Sequence, residues 1–242
     1  MNEKTCTINQ PAGIGDVFFT QAVSDEWISK GYDIVWPLVP QYAWAVDHIE
    51  KKNVTFCSTE DDFEMKDVYG DHRWIESENR NNIYIPLSYA DRYITDLGVM
   101  DAKLVFCNVT CEDWRNHITL LRNEDRENDL IKHLNINGED DFTFLNRNYG
   151  TPPGMQKRQG MHVGGKVVEM EVIDGFNIFD WIGIMMKAKE IHTIGTSICY
   201  LIDYFEDIIK PEKLVIYNRP EDSGFEHLKN VHLRKDWEYT IV

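Results

Sequence analysis

The amino-acid sequence predicts an α/β fold with two domains, each built on a mostly parallel β-sheet. Short apolar strand candidates alternate with amphipathic helix candidates, and this alternation starts again after an acidic, glycine-containing segment at residues 138–141. Alternation of this kind favours parallel pairing, because a crossover helix returns the chain to the same end of the sheet. The domain boundary is therefore predicted at this segment, giving domains of residues 1–138 and 139–242.

The first half contains strand candidates separated by turns and helix candidates. The strand candidates are residues 5–9, 33–39, 53–57 and 82–87. A first helix begins near Val17 and ends at Gly31, where glycine suits the C-cap. Its apolar face carries Phe19, Ala22, Val23 and Trp27. A second helix is predicted at residues 42–52, and the polar, helical segment at 113–134 is interpreted as a bridge.

The second half repeats the same pattern. Its strand candidates are residues 142–146, 167–173, 191–194 and 214–217. Residues 177–188 predict an amphipathic helix, with Phe179, Ile182 and Met186 on one side, and residues 197–205 predict another.

Composition and charge narrow the class of protein. The 242 residues are 43% hydrophobic, which is enough for a folded core. The formal net charge of -16 argues against nucleic acid or an anionic membrane as a bulk partner. Five cysteines without a Cys-x-x-Cys pair argue against a disulfide framework or a thiolate zinc site. We expect a cytoplasmic protein with no membrane span, because no apolar run has the necessary length and no signal sequence is evident.

The first candidate site is the loop Gly13-Ile14-Gly15-Asp16 between a strand and a helix. Glycines allow a ligand to approach the backbone, and a helix N-terminus favours an anion. Phe18 stands where a dinucleotide fingerprint needs its third glycine, so a dinucleotide oxidoreductase is excluded. A tight turn with Asp16 as the helix N-cap explains the loop equally well.

The second candidate is a basic, glycine-rich window in an acidic chain. No acidic residue lies between Asp141 and Glu169. The basic side chains of the window, counting histidine, are Arg147, Lys157, Arg158, His162 and Lys166. Backbone N–H groups and cations of this kind suit a pyrophosphate. The alternative is a solvated loop that offsets the acidic excess.

The third candidate is the segment Gly195-Thr196-Ser197, where a strand candidate runs into a helix. Free N–H groups at a helix start, next to hydroxyls, suit a phosphate, and the carboxyl ends of parallel strands are where open α/β sheets place ligands. An ordinary helix capped by Thr196 or Ser197 is the alternative. His192, inside the apolar strand, is interpreted as structural. No Asp-x-Asp pair occurs in the sequence, so the usual metal–nucleotide clamp is missing and no metal site is predicted. No cofactor is predicted either.

In order, these segments resemble the heptosyltransferase-like branch (family 9) of the GT-B glycosyltransferases. The family loop that carries a catalytic aspartate is similar to Gly15-Asp16-Val17 and Thr20. The family's donor-phosphate strand and loop are similar to Phe144-Leu145-Asn146 followed by the basic window. The family's phosphate-binding helix start is similar to Gly195-Thr196-Ser197. The chain departs from the family in two respects. Tyr200-Leu201 stand where the family has a histidine, and the chain is short for this fold.

The resemblance implies two Rossmann-like domains facing a cleft, with the acceptor on the first and a nucleotide-sugar donor on the second. It implies Asp16 as the general base that activates a hydroxyl of a glycan or small acceptor. Lys157 or Arg158 would contact the donor phosphates, and Glu169 or Asp174 the donor ribose. The donor-binding candidates are Gly13, Gly15, Arg147, Lys157, Arg158, Glu169, Gly195, Thr196 and Ser197.

Two other functions remain open from the sequence. A compact glycosyltransferase that modifies hydroxymethylated bases of viral DNA is one, although the acidic charge argues against it. A non-catalytic nucleotide- or glycan-binding module is the other, with Trp74, Trp114 and Trp237 as sugar-stacking platforms or as core residues.

Overall fold

The chain divides into two compact units, Met1–Leu121 and Arg122–Val242. The structure is a computed structural model. It describes residues 4–60, 75–76, 81–89, 94, 96–110, 113–136, 141–150, 154–220 and 233–242. Each unit has its own mostly or wholly parallel sheet, as the sequence predicts.

The first unit is built on a five-stranded sheet in the order β3-β2-β1-β5-β4. The strands are β1 Thr5–Ile8, β2 Asp33–Leu38, β3 Val54–Ser58, β4 Ile75–Glu76 and β5 Asn82–Ile85. Strands β1, β2, β3 and β5 pair in parallel, and β4 runs antiparallel to β5 at one edge. All four strands predicted for this half are confirmed. Strands β1, β2 and β5 carry buried residues, whereas β3, at the edge of the sheet, is only partly buried.

The helices of the first unit are α1 Ile14–Phe19, α2 Gln21–Ser29 and α3 Val99–Phe106 among the described residues. Helix α1 begins earlier than predicted, because Gly13 at φ 76° turns the chain directly into it. The predicted helix at 42–52 is instead a 3-10 helix at Pro40–Asp47, which opens on proline. Further 3-10 turns are Leu87–Tyr89 and Trp114–His117.

The second unit carries a five-stranded, wholly parallel sheet in the order β12-β11-β10-β6-β9. Its strands are β6 Thr143–Asn146, β9 Val167–Glu169, β10 Glu190–Ile194, β11 Lys213–Tyr217 and β12 Glu238–Thr240. A separate hairpin pairs β7 Asn148–Tyr149 with β8 Gln156–Lys157. The four predicted strands are present, and β12 and the hairpin were not predicted.

The helices of the second unit are α4 Glu124–His133, α5 Ile182–Met185 and α6 Ser197–Tyr204. The helix predicted at 177–188 begins instead as a 3-10 turn, Ile178–Trp181, and continues as α5. Asn177 caps this turn reciprocally with Asp180, which favours the tighter start.

Helix α4 is a core element of the second unit, which corrects its interpretation as a bridge. Leu130 is fully buried, and Arg126 donates to both oxygens of the buried Asp180, at 2.9 and 2.6 Å. These contacts tie α4 to the turn that precedes α5. The compact unit therefore begins at Arg122, ahead of the segment where the sequence places the boundary between 138 and 139.

The described cysteines behave as core residues. Cys6, Cys107 and Cys199 are buried and Cys57 is partly buried, all as free thiols. Burial raises the pKa of Cys107 and of Cys199 to about 12, so both thiols are neutral and unreactive near pH 7. Cys111 lies outside the described residues.

Two of the three tryptophans considered as sugar platforms are core residues: Trp114 and Trp237 are buried. Trp74 lies outside the described residues. Among the helices that the structure describes, none has the length and apolar character needed to cross a bilayer.

Candidate functional site

The first candidate site lies at the carboxyl edge of the first sheet. After β1 the chain crosses this edge and forms backbone hydrogen bonds with the residues at the ends of the neighbouring strands. The amide of Asn9 donates to the Ile85 carbonyl at 2.9 Å, and the amide of Val39 donates to the Pro11 carbonyl at 3.0 Å. The loop that leads into α1 is therefore fixed by the ends of β2 and β5.

Gly13 and Asp16 are matched in shape at the start of α1. Gly13 has φ 76°, a conformation that favours glycine, and a Cβ built on it would lie 2.2 Å from Asp16 Oδ2. The carboxylate of Asp16 thus folds back over the glycine and occupies the space a side chain would need. Gly15 lies beside it in the first turn. Asp16 makes this approach from within the helix, since Gly13, not Asp16, is the N-cap.

A buried lysine completes the site, and the sequence did not predict it. Lys103 of α3 has its side chain only 5% exposed, and its ammonium lies 3.3 Å from Asp16 Oδ1. The ammonium also donates to Oε1 of Gln10. The available signal was a lysine within the otherwise largely apolar run Val99–Phe106. Asp16 itself keeps a side-chain exposure of 26%, which leaves it open to a ligand.

The second candidate site lies at the carboxyl edge of the second sheet. Asn146, at the end of β6, donates through Nδ2 to the hydroxyls of Thr193 at 3.0 Å and Thr196 at 3.4 Å. Thr196 is the N-cap of α6 by position, but its described contacts include no capping hydrogen bond from the side chain. Thr196 and Ser197 are both half-buried, so the hydroxyls beside the helix N-terminus remain accessible.

Arginines surround this second edge and bond to backbone carbonyls. Arg219, which follows β11, donates to the Gly195 carbonyl at 2.9 Å. Arg158 donates to the carbonyls of Asn218, at 3.3 Å, and Val242. Arg147 donates to the Met161 carbonyl at 3.3 Å. Arg219 was not predicted, although a cation directly after a strand at this edge was a usable signal.

The structure pairs Lys157 with acids. Its ammonium lies 2.5 Å from Glu171 and 3.3 Å from Glu169. The hydrogen bond to Glu171 raises the pKa of Lys157, so the side chain is a cation over the whole neutral range. The structure thus brings together two of the donor-binding candidates, Lys157 and Glu169. Another candidate, Thr196, contacts Asn146. Asp174 is exposed.

His192 is held as a structural residue. Its Nδ1 lies 2.9 Å from the Tyr217 hydroxyl and its Nε2 3.2 Å from Glu190. Within the part of the chain that the structure describes, no group of three or more His, Cys, Asp or Glu side chains could hold a metal ion. The chemical groups available are therefore a lysine-paired carboxylate at one edge, and hydroxyls, a helix N-terminus and guanidinium groups at the other.

Comparison with solved structures identifies the architecture. The family 9 glycosyl transferase from Veillonella parvula DSM 2008 aligns with a TM-score of 0.51 and 8% sequence identity, covering 100% of this chain and 87% of that one. The chain has the fold of a family 9 glycosyltransferase. The predicted α/β class with mostly parallel sheets, and the resemblance to this family at the level of the fold, are both confirmed.

A second solved structure aligns over less of its length. It is the bacterial iron-containing dodecameric glycosyltransferase TibC from enterotoxigenic E. coli H10407, with a TM-score of 0.45 and 8% identity, covering 90% of this chain and 58% of that one. No protein-family model and no curated protein matches the sequence.

Proposed function

We propose that the protein is a glycosyltransferase that moves a sugar from a nucleotide-sugar donor to a hydroxyl of a glycan or small acceptor, without a metal. The single observation that carries the proposal is the partly exposed carboxylate of Asp16. It is held at the carboxyl edge of a sheet in the fold of a family 9 glycosyltransferase. An ionised carboxylate at such an edge is suited to accept a proton from a ligand.

The proposed step is a single displacement. The acceptor hydroxyl gives its proton to the Asp16 carboxylate, and its oxygen forms a bond to the anomeric carbon of the donor. The bond from that carbon to the diphosphate oxygen breaks, and its electron pair leaves with the nucleoside diphosphate. No oxidant, reductant or further co-reactant is needed.

The second unit would bind the donor and stabilise the leaving diphosphate. The N-terminus of α6, at Thr196 and Ser197, carries a partial positive charge. The guanidinium groups of Arg147, Arg158 and Arg219 supply full positive charges on the same unit. Such cations take the place of a metal in neutralising the charge that develops on the phosphates.

We further propose that the reaction takes place in the cytoplasm, where free thiols such as Cys6, Cys107 and Cys199 persist. The viral-DNA and non-catalytic alternatives stay predictions. The burial of Trp114 and Trp237 removes two of the three stacking platforms on which the binding-module interpretation depends.

The first test is a thermal-shift panel with UDP, GDP, ADP, CMP and their common sugar conjugates, in the presence of a chelator. A ligand at a hundredfold its Kd stabilises by about 2.7 kcal/mol, which for this length is a shift of about 5–10 °C. We expect a shift with one nucleotide family. No shift with any of them contradicts the donor site.

The second test measures turnover of the donor identified by that panel. We expect Asp16→Asn to lower kcat about 1000-fold, the size typical of a lost general base, with an unchanged nucleotide shift. The matched control is Asp47→Asn, an exposed carboxylate on the same unit, which should keep full activity. If Asp16→Asn stays within a few-fold of the wild type, Asp16 is not the base.

A further inference from the structure

We propose that Lys103 is a positioning residue for Asp16, fixing the carboxylate so that one defined oxygen receives the acceptor proton; this rests on the proposed function. The structure supplies a buried cation that the displacement step above does not use. Its side chain is 5% exposed and its ammonium lies 3.3 Å from Asp16 Oδ1.

Packing alone does not explain a lysine at this position. Burying an ammonium costs several kcal/mol, which its ion pair only partly offsets, and an apolar side chain in such a place is often neutral or stabilising. Met100 and Phe106, three residues to either side of Lys103 on α3 and therefore on the same face, are buried apolar residues, so a methionine suits the same environment. A charge that costs stability and touches the proposed base indicates a role in the reaction.

The ammonium is itself held in place by Gln10. The Gln10 side chain accepts from Lys103 through Oε1 and donates through Nε2 to the Ala12 carbonyl at 2.5 Å. The Gln10 backbone carbonyl accepts from Trp36 Nε1 at 3.0 Å, which fastens this residue to β2. The position of the Asp16 carboxylate is therefore set by a chain of contacts that starts in the core of the sheet.

The two oxygens of Asp16 have different surroundings. Oδ1 faces the Lys103 ammonium, while Oδ2 lies over Gly13, 2.2 Å from where a Cβ would be. A proton is disfavoured on an oxygen that already accepts from a cation. The proton from the acceptor hydroxyl therefore goes to Oδ2.

The test is a double-mutant cycle with Lys103→Met, Asp16→Asn and the double variant, using the donor identified above. Misplacement of a catalytic group by about 1 Å costs about 100-fold, so we expect Lys103→Met alone to lower kcat by about 10- to 100-fold. The KM for the donor should stay within twofold, since the donor contacts lie elsewhere. In the Asp16→Asn background the same change should alter the residual rate by less than twofold.

The matched control is Lys51→Met. Lys51 is also a largely buried lysine of the first unit, with its side chain 11% exposed and its ammonium 2.7 Å from Asp25. Its removal should leave kcat within twofold of the wild type. A Lys103→Met protein with an unchanged Tm and a lowered kcat shows that the effect is not loss of the fold.

The outcomes separate the inference from the function it rests on. A wild-type protein without nucleotide shift or turnover overturns the proposed function. A functional wild type with Lys103→Met within twofold in kcat, or with equal fold-losses in both backgrounds, overturns the role of Lys103 alone. If Asp16→Asn has no measurable rate, the fall in kcat at constant KM and Tm for the single variant decides the question.

Discussion

The two units share a design and differ at the edge where ligands bind. Both have a sheet whose central strands are parallel and are followed by loops at the carboxyl edge. In the first unit that edge presents an ion pair, Asp16 with Lys103, beneath a glycine turn. In the second it presents the neutral hydroxyl of the half-buried Thr196, which Asn146 joins to the buried hydroxyl of Thr193.

One aspartate of each unit, Asp16 and Asp203, shows how differently the two units use a carboxylate. Asp16 is open at 26% and contacts a side-chain cation. Asp203 is fully buried in α6, and its Oδ1 accepts from the backbone amides of Arg234 and Lys235 at 2.7 and 3.1 Å. An acid that binds backbone stabilises the fold, whereas an acid that stays open is available for chemistry. An aspartate therefore has a structural role in the second unit and is available for a chemical role in the first.

The largest effect on stability is expected from Asp203→Ala. The change leaves two backbone N–H groups near α6 without their acceptor, and these position the segment that carries β12. We expect the free energy of unfolding to fall by about 3 kcal/mol, measured by urea denaturation. Asp16→Asn should cost less, about 1–2 kcal/mol, because the amide oxygen can still accept from the buried Lys103 ammonium although the opposite charge is lost.

Asp129→Ala is the control for this comparison. Asp129 lies exposed on α4 and pairs with Lys132 at 3.1 Å. A surface pair of this kind contributes less than about 0.5 kcal/mol, so its loss should be hardly measurable. Equal costs for Asp203→Ala and Asp129→Ala would show that the buried acid does not hold the C-terminal segment.

The next effect concerns activity and compares two glycines of the first unit. Gly13→Ala and Gly31→Ala both place a side chain at positive φ, 76° and 85°, at a cost of about 1–2 kcal/mol in stability. The new Cβ at Gly13 also meets Asp16 Oδ2 at 2.2 Å, whereas nothing lies within 4 Å at Gly31. We expect donor turnover to fall about 100-fold for Gly13→Ala alone.

Turnover measured at equal folded fraction separates the two contributions. Gly31→Ala should then match the wild type, because its strain is remote from the carboxylate. A Gly13→Ala protein with normal turnover would mean that the orientation of Asp16 is unimportant, which would also weaken the assignment of Lys103.

The sequence predicts the strands well because most of them, such as β6, β10 and β11, are short runs that a parallel sheet buries. It does not predict β12, Glu238–Thr240, since this edge strand has a polar start and is partly solvated. It does not predict α3 either, because Asp101 and Lys103 interrupt the apolar pattern. The bridge assigned to α4 was wrong for a related reason: its many charges conceal the buried Leu130.

Some residues of the candidate sites can be predicted from the local sequence, and others cannot. Local signals, such as Gly13 before Asp16, are visible in the sequence because turn and helix start are neighbours. The position of Lys103 beside this site is not visible in the sequence, since its partner Gln10 lies 93 positions away in the chain. The pairing of Lys157 with Glu169 and Glu171 is equally hidden, because only the fold of the loop brings β8 beside the end of β9.

The smallest stability effect, below about 0.5 kcal/mol, is expected from Lys157→Ala, because its ion pairs are exposed. This makes Lys157 a sensitive probe of the second edge, since any change in nucleotide binding is then free of a folding effect. If Lys157 leaves its acids to contact donor phosphates, the thermal shift by the active nucleotide should fall by half or more at a fixed concentration. An unchanged shift would assign the phosphate charge to the arginines instead, with Arg219→Met as the variant that then loses it.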